Sequence, residues 1–192
     1  MNKILTTSLL MLMVTFSGCA TTRGVVTLGD SKVIKQTENL NKTAIIRIVE
    51  DDRVFEDKPK TPNIPSLKGG LAAATEDDKA KAIARKRNGY GKALGDIMLR
   101  EGTVASTVQK RVESALNQSG YRVLTASEQN NQKADLIVSV NITKFWSWVE
   151  LGFWAAKLNT EIETTILDEK NSAKKIVVET KITKSVQVVT GA

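Results

Sequence analysis

Three consecutive runs toward the C-terminal end of the chain alternate apolar and polar residues with a period of two. Even positions carry the apolar residues of the first run, from Leu136 to Trp148, and of the second run, from Leu158 to Ile166. A third run extends from Ile176 to Val188, after a polar turn at 168–174. Successive side chains of a strand point to opposite faces of its sheet. The pattern therefore predicts an antiparallel β-meander with one buried face.

A helix that could cover this buried face is predicted upstream of the runs. The segment Thr103–Ser119 carries apolar residues at helical spacing, namely Val104, Val108, Val112, Ala115 and Leu116. Thr103 can cap the helix and Gly120 can end it. We therefore predict an α+β fold, a two-layer sandwich in which one main amphipathic helix packs on the antiparallel meander.

The preceding part of the chain predicts shorter elements. Thr75–Arg87 is expected to be a short charged helix, because Thr75 can cap it and acidic residues occupy its first turn. The glycines of 87–99 disfavour a helix there and favour an extended or looped segment. Further strands are expected at Thr43–Val49 and Tyr121–Leu124, and the prolines of Asp51–Gly70 predict a loop.

The first nineteen residues have the pattern of an export signal. Lys3 precedes an uncharged apolar stretch, Ile4–Phe16, and small residues then precede Cys19. The stretch is shorter than the roughly 20 residues that cross a bilayer. The end of this segment resembles the lipobox of bacterial lipoproteins, which implies a diacylglyceryl group on the thiol of Cys19, cleavage before it and acylation of its new amine. The competing interpretation is an incidental cysteine in a buried N-terminal strand or helix.

The lipobox resemblance leads to a prediction of the domain organisation. Residues 1–18 are expected to be the signal peptide, residues 19–42 the lipidated cysteine and a flexible tether, and residues 43–192 a single periplasmic domain. The residue after the cysteine is Ala20, whereas retention at the inner membrane would require Asp at this position. In a Gram-negative source, the resemblance therefore implies attachment to the outer membrane, facing the periplasm. The net charge is +7, and loss of Lys3 with the signal peptide leaves +6.

The composition excludes several classes of chemistry. The chain has no histidine, and Cys19 is its only cysteine. Serine–histidine and cysteine–histidine catalysis, histidine-ligated metals and an intramolecular disulfide are therefore all excluded. We predict no catalytic residues, no cofactor and no metal.

Residues 104–189 resemble the YajG-like family of uncharacterised bacterial lipoproteins. The resemblance rests on ALNQSGYRV (115–123) and ADLIVSVNITKFW (134–146), with RNGYGKALGDI (87–97) upstream. It implies an α+β periplasmic domain tethered to the outer membrane, with no established enzymatic activity. The resemblance therefore transfers no catalytic or binding residues.

A cluster of aromatic residues is the first candidate interaction surface. Trp146 and Trp148 share the parity of the buried face, whereas Phe145 and Phe153 have the opposite parity and are expected to be exposed. Together with Trp154, they could meet lipid, glycan or a protein partner. The alternative is ordinary core packing at one end of the sheet.

A second candidate is a run of basic residues, in which Lys86 and Arg87 are the central pair. The full set is Lys79, Lys81, Arg85, Lys86, Arg87, Lys92, Arg100, Lys110 and Arg111. Such a surface could hold anionic lipid head groups, lipopolysaccharide phosphates or acidic glycan. The alternative is a solvated helix with compensating acids. Nucleic acid is not expected, because the run has no aromatic stacking platform.

Two weaker motifs complete the candidates. Glu161 and Glu163 share one strand face about 7 Å apart, which could suit paired-carboxylate chemistry. A solvent-facing charge ladder, neutralised by Lys181 or another cation, is the favoured interpretation. The glycines near Tyr90 resemble a phosphate loop only superficially, because they follow a predicted helix and not a strand.

These observations predict a non-catalytic envelope lipoprotein that acts as a binding or assembly module at the periplasmic face of the outer membrane. The main alternative is an accessory subunit of a larger envelope complex for transport, secretion or a surface appendage. A third hypothesis is an acid-dependent glycan hydrolase. The membrane is the expected partner through the lipid anchor, together with a protein of the envelope, and no small-molecule ligand is predicted.

Overall fold

The computed structural model describes residues 22–29, 40–88, 90, 92–125, 128, 133–151, 155–171 and 174–187. Its strands are β1 (Gly24–Val26), β2 (Lys42–Asp51), β3 (Ala82–Arg87), β4 (Ala93–Leu99), β5 (Tyr121–Val123), β6 (Leu136–Leu151), β7 (Ala155–Asp168) and β8 (Lys175–Gln187). Its helices are α1 (Glu76–Lys81) and α2 (Val104–Gln118), with a short 3₁₀ turn at Leu71–Ala73.

All eight described strands form one mixed sheet in which β6 is shared by two groups of strands. One edge of β6 pairs antiparallel with β7, which in turn pairs antiparallel with β8. The other edge of β6 pairs in parallel with β2 near its start and with β3 at Ser147. β5 extends the sheet beyond β2, while β4 and then β1 extend it beyond β3.

The predicted α+β two-layer sandwich of an antiparallel meander and one helix is therefore wrong. The fold is mostly β, and its large sheet is mixed. The three alternating runs do form the antiparallel strands β6, β7 and β8. Alternation along a strand shows which face is buried, but it does not show that β2 and β3 add in parallel to the far edge.

A register shift inside β6 lets this strand contribute to two of the three hydrophobic clusters of the described residues, the third of which contains Ile45, Leu124 and Ala134. The shift lies between Ile142 and Lys144 and reverses which parity faces α2. The helix-side core contains Ile83, Leu99, Val104, Val108, Val140 and Ile142. The loop-side core, covered by the segment 52–74, contains Leu67, Ala82, Met98 and Trp146. One strand thus contributes buried side chains to both faces of the sheet.

The prediction of a helix over 75–87 is correct only at its start. The side chain of Thr75 accepts from the backbone N–H of Asp78, whose carboxylate accepts from the N–H of Thr75, a complete capping box. The helix ends at Lys81, and the rest of the segment is strand β3. Ala82 and Ile83 are buried in different cores. Burial on both faces, together with pairing to β4 and β6, outweighs the helix propensity of this segment.

The other local predictions agree better with the structure. Helix α2 is capped by Thr103, and Gly120 follows it with φ of 88°. In the glycine-containing segment 87–99, Ala93–Leu99 forms β4, in agreement with the extended alternative. Val104 and Val108 are buried, but the second half of the helix does not close on the sheet.

Part of the segment 19–42, which is predicted to be a tether, lies in the sheet. Residues 24–26 form β1 and pair in parallel with β4, and the carbonyl of Val26 accepts from the N–H of Arg100 at 2.8 Å. Arg23 forms an ion pair with Asp78 at 2.6 Å. The carbonyl of Thr22 accepts from Nζ of Lys86 at 3.0 Å. Residues 22–26 therefore contact β3, β4 and α1.

Arg53 fills the gap where β2 leaves the edge of β6 and β3 joins it. Its guanidinium donates to the carbonyls of Ala82 at 2.6 Å and Phe145 at 3.2 Å. It also donates to both carboxylate oxygens of Asp51, at 2.7 and 2.8 Å. Further contacts reach the carbonyl of Lys79 at 2.7 Å and the ring of Phe55 at 5.3 Å. At this junction the buried side chain of Arg53 thus provides the hydrogen bonds that backbone pairing provides elsewhere in the sheet.

Candidate functional site

An apolar groove of about 650 Å³ opens between the second half of α2 and strands β6–β8. Apolar side chains from all four elements line it, among them Val112, Leu116, Phe145, Ile166, Ile176 and Val178. The groove exists because α2 packs closely only at its first half, over Val104 and Val108. It is therefore a continuation of the helix-side core that the domain itself leaves open.

Strand β8 extends this apolar surface beyond the groove. Ile176 and Val178 line the groove, and Ile182 has the same parity further along β8; the three are 60%, 42% and 56% exposed. Among the described residues β8 pairs only with β7, so its outer edge is open. Contiguous exposed apolar side chains beside an open strand edge are typical of a surface that another chain covers.

Charged groups are few inside the groove and more numerous along β8. Arg111, Asp168 and Lys174 are the charged residues that line the groove. Arg111 also donates to the carbonyl of Gly29. The segment 174–187 contains four lysines and one glutamate, a net charge of +3. A chain bound at the edge of β8 would therefore contact apolar side chains on the groove face and a strand of net positive charge.

The structure corrects the prediction that Phe145 is exposed. Phe145 is partly buried, packs against the helix-side core and lines the groove. The register shift after Ile142 explains the error, because it turns Phe145 to the side that even-numbered residues face earlier in β6. Phe153 and Trp154, the other two residues of the predicted aromatic surface, lie outside the described residues.

The prediction that Trp146 is a core residue is confirmed. It is 2% exposed and meets the ring of Phe55 edge-on, with 6.1 Å between centroids. Its indole N–H donates to the carbonyl of Pro62 at 3.1 Å. Trp148 is half-buried against the same loop-side core and donates to Glu150 at 3.0 Å. The proline-containing loop is thus held onto the sheet by a tryptophan from β6.

A second cavity, the basic pocket, lies between the β3–β4 hairpin and the loop 57–72. Its volume is about 860 Å³, and the basic side chains that line it are Lys58, Arg85, Arg87 and Lys92. Arg85 donates to the hydroxyl of Ser66, which is fully buried, at 3.1 Å. Burial, and the positive charge of Arg85, lower the pKa of Arg87 from its ordinary value. The pocket therefore concentrates positive charge in partly desolvated surroundings.

Six residues of the predicted basic run fall into three groups in the structure. Lys79 and Lys81 form ion pairs with Glu76 and Asp77 within α1, as the solvated-helix interpretation expects. Lys86 does not line the basic pocket, and its Nζ donates to the carbonyl of Thr22. Arg85, Arg87 and Lys92 come together in the pocket. Lys86 and Arg87 therefore do not share the basic pocket, although both line a neighbouring cavity of about 570 Å³ beside β6 and β7.

The two glutamates of β7 belong to a ladder of ion pairs. Nζ of Lys144 lies 3.1 Å from Glu161 and 3.3 Å from Glu163. Nζ of Lys181 lies 3.2 Å from Glu161, so the predicted neutralisation by Lys181 is confirmed. The solvent-facing position predicted for Glu161 is wrong, since it is 8% exposed. Burial opposes its ionisation, but hydrogen bonds from both lysines outweigh this and hold the pKa of Glu161 below its ordinary value.

Asp96 is a buried charge that sequence reasoning missed. It is fully buried and accepts from the backbone N–H of Lys68 at 2.8 Å. Arg23 and Arg85 approach it at 3.6 and 3.9 Å. The signal in the sequence was a single acid inside the otherwise apolar strand ALGDIML. Asp96 links β1, β4 and the loop beside the basic pocket.

Within the described ranges, no group of three or more histidine, cysteine, aspartate or glutamate residues is placed to hold a metal ion. In the same part of the chain, no helix has the length and apolar character needed to span a bilayer. Cys19, the predicted lipidation site, lies outside the described residues.

Comparisons with known proteins give only distant likenesses. No family model matches the chain, and no curated protein matches it. A Xanthomonas campestris protein of the uncharacterised family DUF330 is similar at 12% identity over 90% of this chain and 81% of its own, with a TM-score of 0.38. A putative neuraminyllactose-binding hemagglutinin homologue from Helicobacter pylori is similar at 14% identity over 83% and 75%, with a TM-score of 0.32.

A third similar structure is the hypothetical protein CT253 from Chlamydia trachomatis. Its identity is 10% over 79% of this chain and 76% of its own, with a TM-score of 0.26. All three scores are low, so these likenesses assign neither a family nor a function to the chain.

Proposed function

We propose that this chain is a bacterial envelope lipoprotein whose domain is a non-catalytic binding or assembly module. It is anchored by acylated Cys19 to the outer membrane and faces the periplasm. The lipobox-like segment before Cys19 supports the anchor, and the resemblance to YajG-like lipoproteins supports the location. The single observation that carries the binding role is the apolar groove with its open continuation along β8.

The occupant of the groove is a segment of another envelope protein that adds to the edge of β8. Addition of a strand would satisfy the open backbone groups of that edge. Its side chains would cover Ile176, Val178 and Ile182, which are each about half exposed. Covering each of them contributes about 1 kcal/mol, roughly half the value for complete burial. The net charge of +3 on 174–187 favours a partner segment that carries acidic residues.

The proposal gives Glu161 and Glu163 a structural role in an ion-pair ladder. A general acid needs a carboxyl group whose pKa is raised toward neutrality. The two lysines hold the pKa of Glu161 in the opposite direction. The ion-pair ladder therefore supports a structural role for these carboxylates, and the glycan hydrolase hypothesis is set aside.

A stable accessory subunit is the second candidate function, and the open β8 edge favours it. A module that binds transiently and a permanent subunit differ in the stoichiometry of the complex. Isolation from native membranes at a fixed one-to-one ratio with one envelope protein would favour the subunit. Sub-stoichiometric recovery of that partner would favour the binding module.

The anchor is tested by a Cys19→Ser variant. We expect the wild-type chain to incorporate labelled palmitate and to fractionate with the outer membrane, whereas the variant does neither. Retention of Cys19→Ser in the outer-membrane fraction would contradict the proposal.

The groove is tested with a matched pair of substitutions on β8. Ile176 faces the groove and Val177 faces away, and they are 60% and 54% exposed. A photocrosslinker at position 176 should give one discrete adduct in membranes, which Ile182→Asp abolishes, and the same crosslinker at position 177 should not. Equal crosslinking from the two positions would contradict the assignment of the groove.

A further inference from the structure

One end of the sheet, which we call the hairpin end, gathers several features that the groove does not use. Strand β6 ends there and β7 begins there. β3 runs parallel to β6, with Ala84 opposite Ser147, so the β3–β4 hairpin points to the same end. β2 and β8 begin at the opposite end, at Lys42 and Lys175. A flat surface that meets the hairpin end therefore contacts elements from both halves of the sheet.

Tyr90 projects from the turn of the β3–β4 hairpin. It is 98% exposed, so its ring contributes almost no burial to the fold itself. The turn is held by Asn88, whose side-chain oxygen accepts from the backbone N–H groups of Tyr90 at 3.1 Å and Lys92 at 2.9 Å. The N–H of Asn88 donates to the carbonyl of Lys92 at 3.0 Å. An ordered turn thus presents an aromatic ring to its surroundings. A tyrosine ring, with its apolar body and polar tip, suits the boundary between water and lipid.

Exposed lysines lie around Tyr90 at the hairpin end. Lys92 follows it in the hairpin, and Lys58 lines the basic pocket together with Lys92. Lys157 and Lys184 lie near the start of β7 and the end of β8. Within the part of the chain that the structure describes, none of these four lysines forms an ion pair. Such lysines are free to meet anionic lipid headgroups.

Two carboxylates near these lysines offset part of their charge. Asp57 lines the basic pocket and accepts from the backbone N–H of Leu71. Glu150 lies opposite Lys157 and accepts from the indole N–H of Trp148 at 3.0 Å. Four lysines against two carboxylates leave a net charge of +2 on this set.

The chain that precedes β1 runs toward the hairpin end. β1 is parallel to β4, which starts at the hairpin and reaches β1 at Ile97. Arg23 contacts Asp96, which is one position nearer the hairpin. The carbonyl of Thr22 accepts from Nζ of Lys86, in the second half of β3. An anchor upstream of residue 22 therefore approaches the domain from its hairpin end.

The distances along the sheet decide which end an anchored domain can present to the bilayer. The register of β1, β4, β3 and β6 places Gly24 level with Ser147. Leu136, at the opposite end of β6, is eleven positions from Ser147, or about 36 Å. Cys19 is five positions from Gly24, at most about 18 Å along an extended chain. With the sheet upright on the bilayer, acyl chains on Cys19 therefore hold the hairpin end against it and not the opposite end.

We infer that the hairpin end rests on the membrane, with the ring of Tyr90 in the headgroup region and the exposed lysines against anionic lipids. The contact rests on Tyr90 and the lysines, whereas the orientation rests on the proposed anchoring through Cys19. The groove is lined by β6 only between Leu136 and Phe145. This orientation therefore leaves the groove free for its partner segment.

The contact is tested with a chain that carries no lipid, namely residues 19–192 with Cys19→Ser, which contains every described element. It is sedimented with vesicles of phosphatidylethanolamine and phosphatidylglycerol. Lys92→Gln, Lys157→Gln should weaken binding about tenfold, because each lysine at an anionic surface contributes several-fold. The matched control is Lys42→Gln, Lys175→Gln, which removes the same charge at the opposite end and should change binding little. Equal binding by the two double variants, or no binding by the Cys19→Ser chain, would overturn the inference.

A fluorescent probe tests the position of Tyr90. Cys19→Ser leaves no cysteine, so Tyr90→Cys or Asn171→Cys supplies a single thiol for an environment-sensitive dye. Asn171 is exposed in the turn between β7 and β8, at the opposite end. On vesicles, emission from position 90 should shift to the blue and be quenched by spin-labelled lipid, and emission from position 171 should not. Similar quenching at both positions would overturn the contact.

Neither measurement involves an acyl chain, so both remain decisive if the labelled-palmitate assay shows that Cys19 is not acylated. The orientation is tested in the acylated protein reconstituted into the same vesicles, where the lipid occupies the thiol of Cys19 and the dye again has one site. Quenching at position 90 and not at 171 supports the orientation, and the reverse would overturn it.

Discussion

The side chain of Arg53 is the buried contact whose loss we expect to cost the most stability. It is 7% exposed as a residue, and it satisfies a carboxylate and three backbone carbonyls at the junction of β2, β3 and β6. Methionine at this position would keep much of the apolar stem and remove the guanidinium. Arg53→Met removes the guanidinium donors to the carbonyls of Ala82 and Phe145 and to Asp51, which retains the backbone N–H of residue 53 at 3.4 Å.

The magnitude follows from the burial of these groups. Removing one partner of a buried charged pair costs about 3–5 kcal/mol, because the remaining groups stay desolvated and unpaired. The total free energy of unfolding of a domain is about 5–15 kcal/mol. At about 2–4 °C for each kcal/mol in a chain of this length, Arg53→Met should lower Tm by about 6–20 °C.

Urea denaturation followed by tryptophan fluorescence measures this loss, since Trp146 is buried and becomes exposed on unfolding. Arg47→Met is the matched control on β2. Arg47 contacts Glu169 at 2.7 Å, but its side chain is 58% exposed. Its removal should cost no more than about 1 kcal/mol. If Arg53→Met cost as little as Arg47→Met, the assignment of Arg53 as the link between β2 and β3 would be refuted.

Two further predictions concern the ion pairs. The pKa of Glu161 is below its ordinary 4.5, so its stabilisation is present above about pH 4.5 and is lost as the pH falls through the lower folded value. Glu161→Gln should therefore give a flatter dependence of the urea midpoint on pH in this acid range, and parallel profiles for variant and wild type would contradict its role. Arg23→Ala removes the contacts that hold β1 to Asp78 and Asp96. Amide hydrogen exchange at 24–26 should then accelerate while exchange in β7 is unchanged, and equal protection in both proteins would show that β1 needs no such support.

The local elements were predictable because their signals are local. Alternation of side chains located β6, β7 and β8, and the capping residues Thr75 and Thr103 marked where both helices begin. The parallel pairing of β6 with β2 and β3 depends on residues far apart in the sequence. No periodicity within one segment carries that information, so the mixed sheet and strand β3 were missed.

The candidate sites were predictable only in part for the same reason. Arg85, Arg87 and Lys92 stood in the basic run, but Lys58 and Ser66 come from a proline-containing loop that carried no signal. Phe145 was assigned to the wrong face because one register shift reverses the parity after Ile142. Side chains alternate between the two faces of the sheet both before and after a register shift. The sequence pattern therefore does not show where the reversal occurs.

The shared strand β6 also has a consequence for folding kinetics. Its pairings with β7 are local in sequence, whereas its pairings with β2 join Ala44 to Leu136 and its pairing with β3 joins Ala84 to Ser147. Closing such long loops is slow because the chain loses entropy before the contacts form. We therefore expect the hairpin of β6 and β7 to form early and the parallel strands to dock last. Until they dock, the edge of β6 that pairs with β2 and β3 stays open, which makes this the interval in which a folding chain is most prone to associate with another copy.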